Sequence, residues 1–401
     1  MKIMILNMLY PPHRIGGAEK SVAFLAEALA RSGDEVVVVT LDDIASATVT
    51  VENGVTVHRL PLDNSYWPFG NLDASRSALR RLRWHWRNRW NARSAKRIGE
   101  LLDRERPDVV HSHVLTGFSV AAWSEIRRRG IPLVHTLRDY AVICTRSSLF
   151  KNGRTCAQRC IECKVLTRPG KAASRQVDQL VSNSDYVIGE HQRAGYFRGV
   201  SARRIFNIVP LTPRVRPQRA VSDPLVFGFI GRVEAEKGIE VVLKACEGLQ
   251  REDWRLRVAG VGVTSYVDAL RARYHDPRIE WVGYADSEAF YGSIDVLLMP
   301  SVWPEPLPRT LIEALAHGLS AICAEAGGIP EIAELPRLSL TYAPTDFRAL
   351  RQAMMTALAD AANWRAGGLK QPGSLAVFSE EAVVAQNRAA YADAIAGVDR
   401  P

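Results

Sequence analysis

The sequence predicts an α/β fold in two domains, each a parallel sheet wound with helices on both faces. Three observations predict it. A chain of 401 residues is too long for one hydrophobic core, and its 47% hydrophobic content is enough for two. Short continuous apolar runs bounded by Gly, Pro and Asp alternate with segments of helical period, the pattern of strand–helix–strand units. A strand, a glycine-bearing loop and a helix open each half, at Ile3–Leu6 before Gly16-Gly17 and at Leu225–Ile230 before Gly231.

The first residues, Met1-Lys2-Ile3-Met4-Ile5-Leu6-Asn7, hold one cation and a very short apolar run, so they read as a first strand rather than a targeting segment. No run approaches the ~18 apolar residues of a membrane-spanning helix, and a cytoplasmic location is expected. Lys plus Arg number 52 against 43 Asp plus Glu, a net charge of +9. That sign favours anionic partners: nucleotides, phospholipid surfaces or nucleic acid.

A first domain spans residues 1–212. After its first strand, Gly16-Gly17-Ala18-Glu19 leads into a helix with Val22, Leu25, Ala26 and Leu29 on one face. Gly16 and Gly17 allow close backbone approach to a ligand and leave N–H groups for an anion. The dinucleotide fingerprint G-x-G-x-x-G is absent there, which argues against a dehydrogenase. Strands are expected at 35–40, 55–60, 108–111, 132–135 and 185–189. In an open α/β sheet, ligands gather beyond the carboxyl ends of strands. His113, Arg138 and Asp139 lie at such ends and are candidate catalytic residues, whereas His111 is expected in the core.

Between Arg76 and Arg97 stand nine Lys or Arg and no acidic residue, interleaved with Trp84, Trp86 and Trp90. Leu79, Leu82, Trp86 and Trp90 fall on one helical stripe. Such a segment suits an anionic membrane surface, the alternatives being a stripe docked on its own domain or nucleic-acid binding. Cys144, Cys156, Cys160 and Cys163 cluster within twenty residues, in a possible insert at 144–163. Their spacing suggests a structural zinc site, with free thiols or a disulfide as alternatives. Cys246 and Cys323 sit in apolar contexts and read as core thiols.

Residues 213–224 are polar and proline-rich and are read as a linker. A second domain, 225–375, opens with Gly231-Arg232-Val233-Glu234-Ala235-Glu236-Lys237-Gly238. There Arg232 and Lys237 can neutralise a diphosphate and the charge it gains as a leaving group. Tyr284 follows a strand end, where backbone could read a nucleobase edge. The stretch Pro300–Gly318 combines a buried strand end, a proline-punctuated loop with Glu305, Pro306, Leu307 and Pro308, and a helix carrying Glu313. Two carboxylates flanking a helix N-terminus suit a ligand with hydroxyls and an anionic group. A second double glycine follows in Gly327-Gly328-Ile329-Pro330-Glu331. The segment 376–401 holds a last helix expected to cross back to the first domain.

Together these motifs, spread over nearly the whole chain, resemble the family 4 glycosyltransferases, retaining enzymes of the GT-B fold with two Rossmann-like domains facing each other across a cleft. The resemblance implies that Arg232 and Lys237 hold the donor diphosphate, Glu305 the transferred sugar's hydroxyls and Glu313 the nucleotide ribose. It implies that the backbone at Gly231 and at Pro306 to Pro308 meets the sugar-phosphate, and that Gly16 and Gly17 face the cleft from the acceptor domain. Where many relatives carry a histidine after the Thr-apolar pair, this chain has Arg138 followed by Asp139. The cysteine cluster looks like a feature of a subset of these enzymes. The activity implied is metal-independent, retaining transfer from a nucleotide-diphosphate sugar to a hydroxyl acceptor, a lipid-linked or cell-surface glycan of bacterial polysaccharide synthesis. No cofactor is needed for the chemistry and no nucleic-acid partner is expected; the location would be cytoplasmic, peripheral to the membrane. A nucleotide-sugar epimerase of similar fold and a non-catalytic nucleotide-sugar-binding protein are the alternatives.

Overall fold

A computed structural model describes residues 1–13, 17–69, 77–210, 220 and 222–398. Gly16, Arg76 and most of the expected linker lie outside the described residues. The chain divides into two compact units, Met1–Leu149 with Ala157–Ile208 and Phe378–Pro401, and Phe150–Cys156 with Val209–Val377.

In the first unit the strands are β1 (Lys2–Leu6), β2 (Glu35–Asp42), β3 (Thr48–Glu52), β4 (Val55–Pro61), β5 (Val109–Ser112) and β6 (Leu133–Leu137). A separate hairpin, β7 (Phe150–Lys151) and β8 (Arg154–Thr155), belongs to the second unit. The first sheet continues with β9 (Gln179–Ser182) and β10 (Ser201–Arg204). Its order is β10-β9-β6-β5-β1-β2-β4-β3, parallel throughout except for the antiparallel edge pair β3–β4. Helices on both faces explain why Ile3, Met4, Ile5 and Leu6 can be consecutive and all fully buried. The sequence expectation of a strand at 185–189 is corrected. The strand is β9, and Asp185–Arg193 is a helix whose Ser184 cap accepts a hydrogen bond from the Val187 N–H. Val187 and Ile188 are buried as part of a helical face, which a short apolar run cannot distinguish from a strand.

Helix α1 (Gly17–Arg31) buries Val22, Leu25, Ala26 and Leu29 against the sheet. The basic stretch forms two helices, α2 (Ala78–Arg89) and α3 (Ala92–Glu105), parted at Asn91. Asn91 caps α3 by accepting from the Ser94 N–H at 3.2 Å and donates to the Asp63 and Gly117 carbonyls, so the break is held from both sides. On α2 the buried ring is Trp84, while Leu79, Leu82 and Trp86 stay exposed. Then come α4 (Ala121–Arg128) and the short α5 (Ile161–Leu166). The C-terminal helix Glu380–Val398 packs into the first unit. Arg388 pairs with Asp34, and the Tyr391 hydroxyl sits 2.8 Å from His111 Nδ1.

The second unit has one parallel sheet of β11 (Leu225–Ile230), β12 (Trp254–Ala259), β13 (Ile279–Gly283), β14 (Val296–Met299), β15 (Ser320–Ala324) and β16 (Ser339–Tyr342), in the order β13-β12-β11-β14-β15-β16. The order reverses direction at β11, so the loops after β11 and β14 leave the same sheet edge side by side. The β7–β8 hairpin turns at Asn152 and Gly153, both with positive φ, and Thr155 donates to the Val302 carbonyl at 3.1 Å.

Tyr391→Ala should lower unfolding free energy by about 3–5 kcal/mol, because it empties a fully buried ring site. Tyr391→Phe, which deletes only the hydroxyl at His111, should lower it by about 1 kcal/mol. Denaturant titration of both variants checks the difference.

Candidate functional site

In the second unit β11 runs into Gly231, a short 3-10 turn at Ala235–Lys237, and Gly238 with φ 77°. A Cβ on Gly238 would lie 1.8 Å from the Pro300 carbonyl oxygen, so only glycine lets this loop lie against the end of β14. Close approach has a consequence for side chains. Lys237 Nζ donates to both carboxylate oxygens of Glu305 at 2.9 Å, and the Ser301 hydroxyl donates to the same carboxylate at 3.1 Å. Lys237 also lies over the Trp303 ring at 5.1 Å. Glu305 is only 8% exposed. Its backbone is held as well, since Gly328 N–H donates to the Glu305 carbonyl at 2.7 Å and a Cβ on Gly327 would clash with that carbonyl at 2.1 Å. The second double glycine is therefore a seat for the Glu305 loop.

Arg232 is half exposed and engages Glu234 at 2.8 Å and Glu236 at 3.2 Å. Burial and the charge of Glu234 push the Glu236 carboxyl upward. The loop Pro300–Pro308 delivers the helix Arg309–Ala316, whose N-terminus carries no side-chain cap. Glu313 lies one turn into that helix, accepting from Arg309 Nε at 2.6 Å and from the Tyr291 hydroxyl at 3.1 Å. Lys237, Ser301 and Glu305 thus form one group and Arg309, Tyr291 and Glu313 another, at the two ends of the proline loop. Pro306, Leu307 and Pro308 are buried between them, and Tyr284 stands 87% exposed after β13.

In the first unit, the ends of β5 and β6 bring three predicted residues together. Arg138 donates through Nε to His113 Nδ1 at 3.0 Å and through Nη1 to the Asn207 side chain. A guanidinium always donates, so Nδ1 of His113 is the acceptor and the ring proton sits on Nε2. That buried Nε2 has no hydrogen-bond partner among the described residues. Burial, then the neighbouring His111 and Arg138, hold the His113 pKa well below the usual imidazole value. Burial pushes the Asp139 carboxyl up to about 6; the Ala141 N–H opposes the rise and the charge of Glu19 adds to it. Burial lowers Arg138 to about 10, while Glu19 favours its charged form. Glu19, buried in the first turn of α1, is thus a member of this cluster that the sequence offered only as part of a glycine motif. Gly17 opens α1, and its carbonyl accepts from Ser21. His111 is a core residue between Tyr391 and Thr136, as expected.

Comparison with known proteins bears on this geometry. Residues 16–206 match the family described as "Glycosyl transferase 4-like domain", and residues 224–360 match "Glycosyl transferases group 1". A Klebsiella pneumoniae protein, described as "Uncharacterized 42.6 kDa protein in cps region", is 31% identical over 335 residues, 84% of this chain and 88% of the relative. The chain is a glycosyltransferase. The fold agrees. A sucrose-phosphate synthase from Thermosynechococcus elongatus superposes with a TM-score of 0.73 over 98% of both chains at 20% identity. Anabaena HepE in complex with UDP and glucose superposes with 0.69 over 97% of this chain and 98% of its own, at 18% identity. The glycosyltransferase therefore has the GT-B type of fold, with two Rossmann-like domains.

One expectation fails in this glycosyltransferase. Cys144, Cys156, Cys160 and Cys163 do not converge as a zinc site. Among the described residues, no group of three or more His, Cys, Asp or Glu side chains is placed to hold a metal. The reason is local. Cys160 is the cap residue of α5, Cys163 is buried one turn in, and Cys156 ends the hairpin segment assigned to the second unit. Cys144 and Cys163 do meet as thiols. The Cys163 hydrogen bond, with backbone N–H groups of residues 146, 148 and 149, holds Cys144 down to about 6, while Cys163 is pushed up. None of the six cysteines is in a disulfide. Cys246 and Cys323 are buried core thiols as predicted.

Asp139 has a raised pKa in the folded protein, so it is protonated there where the unfolded chain is already ionised. Stability should therefore fall as pH rises from about 4 to 6, with the penalty fully present above 6. Asp139→Asn should flatten that segment of the stability curve, measured by denaturant midpoints from pH 4 to 7.

Proposed function

We propose that this glycosyltransferase moves a sugar from a nucleotide-diphosphate sugar to a hydroxyl acceptor with retention of anomeric configuration. The observation that carries the reading is the bidentate Lys237–Glu305 pair, which ties the glycine loop after β11 to the proline loop that leads into an uncapped helix N-terminus. Residues 225–375 take the donor and residues 1–212 the acceptor. Arg232 and Lys237 neutralise the diphosphate, aided by the first-turn N–H groups after Pro308. Glu305, already a hydrogen-bond acceptor, takes sugar hydroxyls; Glu313, fixed by Arg309 and Tyr291, takes the ribose. Gly231 lets backbone approach the phosphates, and the strand end at Tyr284 meets the base. HepE, a neighbour in fold, was solved with UDP, which makes UDP the first nucleotide to try.

The acceptor oxygen bonds to the anomeric carbon on the face that the diphosphate leaves. The carbon–oxygen bond to the diphosphate breaks, and the acceptor proton passes to the departing phosphate oxygen. Arg232, Lys237 and the helix N-terminus take up the growing negative charge, so the chemistry is independent of a divalent cation. His113, Arg138 and Asp139, at the strand ends of the first unit, orient the acceptor hydroxyl. The relative in a cps region supports a glycan acceptor of polysaccharide synthesis, and we propose that this glycan is carried on a lipid. The arginines of α2 support peripheral attachment to an anionic membrane on the cytoplasmic side. No helix among the described residues is long and apolar enough to cross a membrane.

Calorimetric titration of UDP, GDP and ADP should find one that binds selectively, with Glu313→Ala weakening it about tenfold or more. Lys237→Ala should lower kcat by about 10²–10³, the effect of losing one donor to developing charge. Conversion of the donor without acceptor would instead favour an epimerase. Sedimentation with vesicles containing anionic phospholipid should lose the protein when Arg80, Arg81 and Arg87 are replaced by Gln; unchanged sedimentation overturns the membrane attachment.

A further inference from the structure

The first unit carries a surface feature that donor chemistry does not use. Leu79, Leu82 and Trp86 on α2, with Val165 and Leu166 on α5, line an apolar groove of about 500 Å³. Leu79 is 79% exposed and Trp86 58% exposed, and Ile161 adds a further exposed side chain on α5. A water-facing apolar trough of this kind on one domain marks a binding surface. The charged residues that line it are Arg83 from α2 and Glu162 from α5, while Arg80, Arg81, Arg87 and Arg89 lie elsewhere on α2.

A second, more polar cavity of about 130 Å³ shares Leu166 with the groove and is lined by His85, Asn88, Arg89, Thr116 and Ser147. Arg89 joins the two. Its guanidinium lies 4.8 Å over the Trp86 ring, and its Nε is buried without a hydrogen-bond partner. A buried guanidinium N–H without an acceptor is unfavourable, and an anionic oxygen relieves it. An apolar groove, an unsatisfied cation and a more polar cavity match an amphiphile's hydrocarbon chain, phosphate and polar head.

We propose that this groove binds the lipid part of the acceptor, a single long isoprenoid-type chain joined to phosphate, with the phosphate at Arg89 and the glycan head at the cavity. The proposal rests on the reading of a lipid-linked acceptor. It commits to one lipid molecule rather than a bilayer surface, because the apolar side chains line a recess that shares Leu166 with a more polar cavity. α5, from the cysteine-bearing segment, supplies the second wall, which gives that segment a role without metal.

The test is titration of farnesyl diphosphate, below its aggregation concentration, into the full chain, followed by calorimetry and tryptophan fluorescence. Farnesol and inorganic pyrophosphate serve as half-ligands and UDP as the control for the second unit. Saturable one-to-one binding is expected, at least tenfold tighter than either half-ligand. Leu82→Glu and Arg89→Gln should each weaken it tenfold or more and leave UDP affinity unchanged; Leu82 is exposed, so the fold is not at stake. Pyrophosphate binding as tightly as farnesyl diphosphate, or variants that bind like wild type, overturns the proposal. So does binding to anionic phospholipid vesicles without any binding of farnesyl diphosphate. Nucleotide binding with no lipid binding refutes the groove alone, whereas lipid binding with no binding of UDP, GDP or ADP supports the groove and refutes the donor reading.

Discussion

Glu305 gives up most of its contact with water, and the second unit is arranged around offsetting that loss. A buried carboxylate is tolerated when charge and hydrogen bonds replace its hydration shell. Lys237 supplies both, with equal 2.9 Å bonds to the two oxygens, and Ser301 adds a third. Reaching that geometry requires the loop after β11 to lie against the end of β14, which Gly238 permits. It also requires the Glu305 backbone to be pinned from the other side, which Gly327 and Gly328 permit. Two glycine motifs that look separate along the chain, Gly238 and Gly327-Gly328, are parts of one packing solution.

The first unit solves a related problem differently. Its cluster at the strand ends holds buried Glu19 and His113 with half-buried Arg138 and Asp139. Arg138 keeps its charge by donating to neutral acceptors, His113 and Asn207, with Glu19 acting at longer range. His113 is held neutral and Asp139 is raised because the same burial disfavours each charged form. Such a cluster is poised to respond to a polar group brought near it, since His113, Arg138 and Asp139 are already displaced from their behaviour in water.

The two helices of the basic stretch show how one sequence pattern can serve two ends. α3 turns Ile98, Leu101 and Leu102 inward and is an ordinary covering helix. α2 buries Trp84, whose ring nitrogen donates to the Tyr66 carbonyl, and leaves its other apolar side chains in water. A single tryptophan anchors a helix whose remaining apolar surface is available.

The sequence by itself determined the parallel sheets, through apolar runs such as Ile3–Leu6 and Val296–Met299 that only a doubly covered strand can bury. It also determined the loops after β11 and β14, because glycine and proline constrain backbone locally. It misread 185–189 because a short apolar run fits either a strand or one helical face. It misread the four thiols because spacing along a chain does not fix convergence when a hairpin and a helix cap intervene. Only the tertiary structure decided which side chains meet. Lys237 and Glu305 are 68 residues apart, and His111 and Tyr391 are 280 apart. Glu19 joins Arg138 and Asp139 through the arrangement of α1 against the sheet rather than through any local pattern. Local geometry is written in neighbouring residues, whereas charge pairing and burial are set by the whole chain's packing.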